Sequence, residues 1–283
     1  MKILDTSVRA RVSKLFIIPL SLLSCLLFCC QANGQNTTYK TQKIIAGDYL
    51  MLRVDDFENI YLLDKANTLS KFNRKQQLMF QYSFNGLGEF SEIDVSNPQK
   101  LLLFFADFQI ALFLDNTLSE INRLNLEDLS FWNITGICIS PDNYIWIYDP
   151  VNFKLIKLDE DGREIYSSNE YYFGKFENAV QLHLCANAFY TIAYTKNLYH
   201  VFDNFGSFIK TVEQSSENIS LYNRQILYST ANEIKVEPLN TVLFDEDNTL
   251  LYNHPRKIID FQLLDNNRLY ILDEEGVYRT TIN

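Results

Sequence analysis

The sequence is short of almost everything a reactive centre is made from. Its 283 residues hold 3 His and 5 Cys, too few and too scattered for a metal site with ligand spacing. Cations are in the minority, 25 Lys plus Arg against 35 Asp plus Glu. That balance excludes a nucleic-acid surface, which needs clustered Lys and Arg. G-x-S-x-G, H-E-x-x-H and P-loop patterns are missing, as is any helix-period segment of useful length after residue 35. What is present is apolar: 47% hydrophobic and 14% aromatic residues. That is ample for a packed core and excludes general disorder.

The first thirty-odd residues read as an address. Lys2, Arg9, Arg11 and Lys14 precede an apolar run from Leu15 to Cys30, interrupted by Pro19, Ser21 and Ser24. The run is shorter than the roughly 20 residues of a spanning helix. A basic start, an apolar stretch and then small polar residues make a secretory signal over residues 1–34, leaving 35–283 as the mature domain. Ala32-Asn33-Gly34 offers a cleavage site that would start the mature chain at Gln35. Leu22-Leu23-Ser24-Cys25 also resembles a lipobox, which would leave a lipid anchor on Cys25. Leu26-Leu27-Phe28 follows it where a polar tether is expected, so soluble export leads and lipid attachment stays open. Cys138 and Cys185 remain, and they are expected as buried small hydrophobes rather than as a bridge.

A repeat of about 42 residues then runs along the chain. Its clearest unit starts at Gly136-Ile137-Cys138-Ile139, turns at Ser140 to Asn143, and continues as Tyr144 to Asp149 and Phe153 to Asp159. Asx and Gly residues in the turns supply positive φ or local side-chain bonds, and the segments between are β-branched and aromatic. A polar residue opening each second strand is expected at Asn59, Lys100, Asn143, Asn187, Asn232 and Asn267. One closing each third strand is expected at Asn73, Asp115, Asp159, Asp203 and Asp245. Four-stranded units of this length predict an all-β, six-bladed β-propeller of antiparallel blades. The last unit runs out after its third strand, so Thr38 to Ile45 is expected to supply the missing outer strand and close the ring.

The unit at Gly136, Asn143, Trp146, Asp149, Asn152, Ile156, Asp159 and Gly162 resembles the NHL-type propeller repeat. Phe84-Asn85-Gly86-Leu87-Gly88-Glu89-Phe90 is similar to the G-x-G-P-G-E-F turn of exported six-bladed propellers of Bacteroidetes, with Leu87 in place of Pro. The resemblance implies the fold and an exported role in binding a ligand or protein. It implies no reaction.

Candidate functional residues are accordingly few. Glu89, Phe131, Trp132, Tyr171, Tyr172 and Phe173 fall in connections between blades, where exposed aromatic rings suit binding. Asp64, Asp107, Asp149 and Asp273 end second strands, and ordinary turn chemistry accounts for them better than a ring of cation ligands. Asp245-Glu246-Asp247-Asn248 lacks the order of a calcium loop. His183, His200 and His254 are expected in different blades, as strand or loop residues. No catalytic residue, metal or cofactor is expected. The leading expectation is a non-catalytic scaffold for a protein partner in the bacterial envelope. The alternative is a carbohydrate or peptide binder, with a glycan- or lactone-type hydrolase or lyase third.

Overall fold

The structure is a computed structural model that describes residues 40–83, 86, 88–170, 182–239 and 249–282. Residues 1–34, Cys25, Leu87, Tyr171, Tyr172, Phe173 and Asp245 lie outside them. Twenty-four strands form six separate four-stranded antiparallel sheets, the blades of a propeller. β1 (Gln42–Ala46) comes first in the chain but belongs to the last blade. Blade one is β2 (Tyr49–Val54), β3 (Ile60–Asp64), β4 (Thr68–Phe72) and β5 (Leu78–Ser83). Blade two is β6 (Glu92–Asp94), β7 (Leu101–Phe105), β8 (Ile110–Leu114) and β9 (Glu120–Asn125). Blade three is β10 (Ile137–Ile139), β11 (Ile145–Asp149), β12 (Lys154–Leu158) and β13 (Glu164–Ser167). Blade four is β14 (His183–Ala186), β15 (Tyr190–Thr195), β16 (Leu198–Asp203) and β17 (Phe208–Val212). Blade five is β18 (Ile219–Tyr222), β19 (Gln225–Thr230), β20 (Glu233–Pro238) and β21 (Thr249–Asn253). Blade six is β22 (Asp260–Leu263), β23 (Arg268–Asp273) and β24 (Gly276–Thr281), completed on its outer edge by β1. Gln42 lies opposite Arg279 and Ala46 opposite Gly276, so the expected closure of the ring is present.

The sequence periodicity has a local cause. At the end of the third strand of blades one to four stands one Asx residue: Asn73, Asp115, Asp159 or Asp203. Each uses its side-chain oxygen to accept the backbone N–H groups two and four residues on. Three residues after each, the chain turns through positive φ, at Gln76, Leu118, Gly162 and Gly206. A short carboxylate or amide that pins its own turn is what the repeat marks.

The other marker slips in one blade. Asn232 stands between β19 and β20 and therefore opens the third strand of blade five. There the first turn shrinks to Asn223-Arg224, with Asn223 at φ 51°. The second strand thus starts early, and both turns of the hairpins carry an Asn.

Six hydrophobic clusters fill the six gaps between neighbouring blades. Alternation along each strand sends successive side chains to opposite neighbours. Leu102 and Phe104 of β7, for example, pack toward blade three, while Leu101, Leu103 and Phe105 pack toward blade one. No blade can bury both faces alone, so stability requires the complete ring.

Candidate functional site

The six innermost strands, β2, β6, β10, β14, β18 and β22, surround a central channel. Side chains of one inner strand hold the backbone of the next. Asp260 Oδ2 accepts Leu52 N–H at 2.9 Å. Gln262 accepts from Val54 N–H at 2.8 Å and donates to Val54 O at 2.8 Å. Asp94 Oδ2 accepts Ile139 N–H at 2.7 Å.

Arg53 of β2 reaches to both neighbouring inner strands, β22 and β6. Its guanidinium donates to Asp260 at 2.7 Å, Glu92 at 2.8 Å, Ile93 O at 3.0 Å and Leu52 O at 2.8 Å. His183 Nδ1 lies 3.2 Å from the other Glu92 oxygen, and its ring stacks on Tyr194. Burial alone would depress the Arg53 pKa, but Asp260 and Glu92 overcome it and keep the guanidinium charged. Burial likewise works to raise Glu92, yet Arg53 and His183 hold it below the usual carboxylate range. Asp260 stays above that range because burial outweighs what Arg53 returns. Asp94, too, is pushed up by burial. These carboxylates converge, but Glu92 and Asp260 are committed to holding blades one, two and six around one cation.

On one face of the ring, the turns between first and second strands form the channel mouth, a funnel of about 370 Å³. Every blade contributes, with Asp56, Asn97, Asn143, Asn187, Asn223 and Asp265 among the lining residues. A smaller space of about 140 Å³ lies along the inner strands, lined by Arg53, Glu92, Asp94, Tyr194 and Gln262 among others.

The opposite face carries the second-to-third-strand turns and the connections between blades. They are stitched together: Asn67 Nδ2 donates to Gly88 O at 2.7 Å, and Gln109 both accepts from Ile134 N–H and donates to Ile134 O. The sequence-predicted residues on this face divide. Glu89 is exposed and Trp132 is 50% exposed. Phe131 is half-buried and packs against the core between blades two and three. Two apolar side chains join Trp132 here without having been marked in the sequence. Phe108, 48% exposed, belongs to the 3-10 turn after β7, and Val151, 53% exposed, to the turn after β11. The only sequence signal was their place beside Asp107 and Asp149.

Three of the four acidic turns are structural, while Asp107 lies in the 3-10 turn Ala106–Phe108 beyond the end of β7 rather than closing that strand. Asp64 accepts Ala66 and Thr68 N–H, Asp149 accepts Val151 and Asn152 N–H, and Asp273 accepts Glu275 and Gly276 N–H. His183 and His200 share blade four rather than lying in different blades, on β14 and β16. His200 is buried and desolvation lowers its pKa to about 4. His254 is buried against Asp273, with Nε2 2.9 Å from the carboxylate. Among the described residues no three His, Cys, Asp or Glu side chains come together to hold a metal ion. Cys138 and Cys185 are free. Cys138 is buried between blades three and four as expected, whereas Cys185 is only half-buried: it packs on the core between blades four and five and lines the space along the inner strands.

No family model matches the chain, and no curated protein matches it. Solved structures do. A virginiamycin B lyase from Staphylococcus aureus, in a catalytically inactive form with quinupristin, aligns at TM-score 0.60 and 11% identity, covering 87% of this chain and 100% of that one. The Pan2 WD40 domain of Neurospora crassa aligns at 0.59 and 11%, covering 86% and 96%. A streptogramin B lyase aligns at 0.55 and 13%, covering 82% and 78%. At these identities the likeness establishes the propeller fold alone.

Proposed function

We propose that this chain is an exported, non-catalytic β-propeller that holds a protein partner in the bacterial cell envelope. The observation that carries the reading is the exposure of Phe108, Trp132 and Val151 on one face over blades two and three. Large apolar side chains on a rigid face favour protein contact, because rings supply area at low entropic cost. The basic and apolar stretch before residue 35 supports export. The unit from Gly136 to Gly162 supports an NHL-like affiliation, and the turn at Glu89 supports one with exported propellers of Bacteroidetes.

The test is capture of the tagged chain from its own host's envelope in mild detergent, followed by mass spectrometry. A stoichiometric partner lost in the Phe108→Ala/Trp132→Ala variant establishes the reading. Capture unchanged in that variant removes the site. The second reading, a small polar ligand held in the channel, is favoured by the 370 Å³ funnel on the other face.

A further inference from the structure

The apolar patch proposed for the partner is set among charges of one sign. Four exposed acids, Glu89, Asp107, Glu127 and Asp128, stand in the same segments as Phe108 and Trp132. The described residues of those segments (86, 88–91, 106–109 and 126–136) include no Lys or Arg. None of the four carboxylates has a hydrogen-bonding or ion-pairing partner among the described residues. The segments pack on one another. A Cβ at Gly88 would lie 3.2 Å from the Phe108 ring and 3.8 Å from Asp107 Oδ2, so the residue before Glu89 rests against both. Gln109, next after Phe108, accepts Leu126 N–H on its carbonyl at 2.8 Å and Ile134 N–H on its side chain at 2.8 Å. Glu127, Asp128 and Trp132 fall between those two anchor points. In blade three the turn that carries Val151, residues 150–153, also lacks a cation, and Lys154 after it is half-buried opposite Asp149.

We infer that the protein partner meets this face with a cationic, apolar segment, in which Lys or Arg side chains alternate with aromatic or aliphatic ones. This rests on the partner-binding reading above and adds the partner's chemistry to it. Phe108 and Trp132 supply apolar area, which attracts without choosing among partners. The carboxylates supply the choice: they speed the encounter with a cationic segment and repel an acidic one. A Lys or Arg arriving there also gains the indole ring of Trp132 as a cation–π partner. Nucleic acid and anionic lipid surfaces bring the wrong sign of charge. A neutral glycan would cover Trp132 and leave four carboxylates unmatched.

Fluorescence anisotropy with short dye-bearing peptides on the whole chain tests this. One peptide alternates Lys with Leu and Phe, a second has Glu for every Lys, and a third has Ser for every Leu and Phe. The first should bind with one-to-one stoichiometry, about tenfold or more tighter than either of the others, and should weaken as salt rises. Glu89→Gln/Asp107→Asn/Glu127→Gln/Asp128→Asn should weaken it by about tenfold or more. Asp56→Asn/Asp161→Asn/Glu164→Gln/Asp265→Asn removes the same charge from the mouth side and should leave binding within about twofold. Phe108→Ala/Trp132→Ala should abolish binding at low and high salt, with Phe205→Ala unchanged. Equal weakening by the two neutralising sets would overturn the inference, as would either of the other peptides binding as tightly as the first. Silence from all three peptides would overturn it too. Loss of the envelope partner in Phe108→Ala/Trp132→Ala would then still uphold the partner-binding reading by itself.

Discussion

Arg53 Nη1 donates to Asp260 Oδ2 across 2.7 Å, joining two residues 207 positions apart. The same guanidinium reaches Glu92 on blade two. One side chain therefore ties together the first, second and last blades at the axis of the ring.

Arg53→Met should destabilise the protein by about 3 kcal/mol at pH 7, because it strands two buried carboxylates. Urea unfolding measures this. In that variant the carboxylates have raised folded pKa values, so the lost stability should return as pH falls and be lost again as pH rises. Adding Glu92→Gln and Asp260→Asn should recover most of the loss at pH 7. Wild-type stability for Arg53→Met would show that the network is not holding the ring.

Asp273 has a pKa below the ordinary carboxylate value: burial opposes ionisation, but His254 and Arg256 prevail. A depressed folded pKa contributes stability that is complete above the unfolded value, about 4. That contribution disappears as pH falls through the folded value. Asp273→Asn should lower the pH 7 melting temperature and flatten the acid limb of the melting curve below about pH 4. A parallel shift at all pH values would refute this account.

Gly276 sits at φ 136°, and a Cβ there would lie 2.1 Å from Ile45 O on β1. Backbone cannot move aside as a flexible side chain can. Gly276→Ala should therefore cost at least about 2 kcal/mol and speed amide exchange in residues 42–46 ahead of the other strands. Uniform exchange would indicate strain spread over the ring instead of localised at its seam.

Burial raises both Cys138 and Cys185 thiols far above their ordinary value. Cys138 should not react with a thiol reagent at pH 8 until the chain unfolds, half-buried Cys185 should react more slowly than in the unfolded chain, and both should react fully on unfolding without a reductant. A native disulfide, seen as a mass two units below the dithiol form on about the whole population, would contradict the separate cores to which they are assigned.

If export proceeds as proposed, N-terminal sequencing of protein from the host should begin at Gln35. A lipid-modified Cys25 would replace the soluble form with an anchored one. An intact Met1 would remove the export proposal.

The residues that announced the fold did so because their chemistry is local. Asp115 or Asp159 makes its turn with bonds spanning two and four positions, so each leaves a mark wherever a blade repeats. Asn232 misled for the same reason, being a turn residue whose place in the blade depends on the length of the turn before it. Arg53, Glu92 and Asp260 left no mark, since nothing local distinguishes them from other charges in strands. Trp132 was visible as an aromatic in a connection. Phe108 and Val151 were not, because exposure is decided by neighbours from other blades.

The strand that completes blade six comes from the far end of the propeller sequence. Of the twenty-four strands, β1 is synthesised first and its partner β24 last. During synthesis, residues 42–46 therefore wait with their edge unpaired until residues 276–279 arrive. A polypeptide cut short before Gly276 has nothing to offer them. The ring thus works as a test of completeness: only a chain that carries β24 can hide its own first edge, and truncated products stay open to proteolysis.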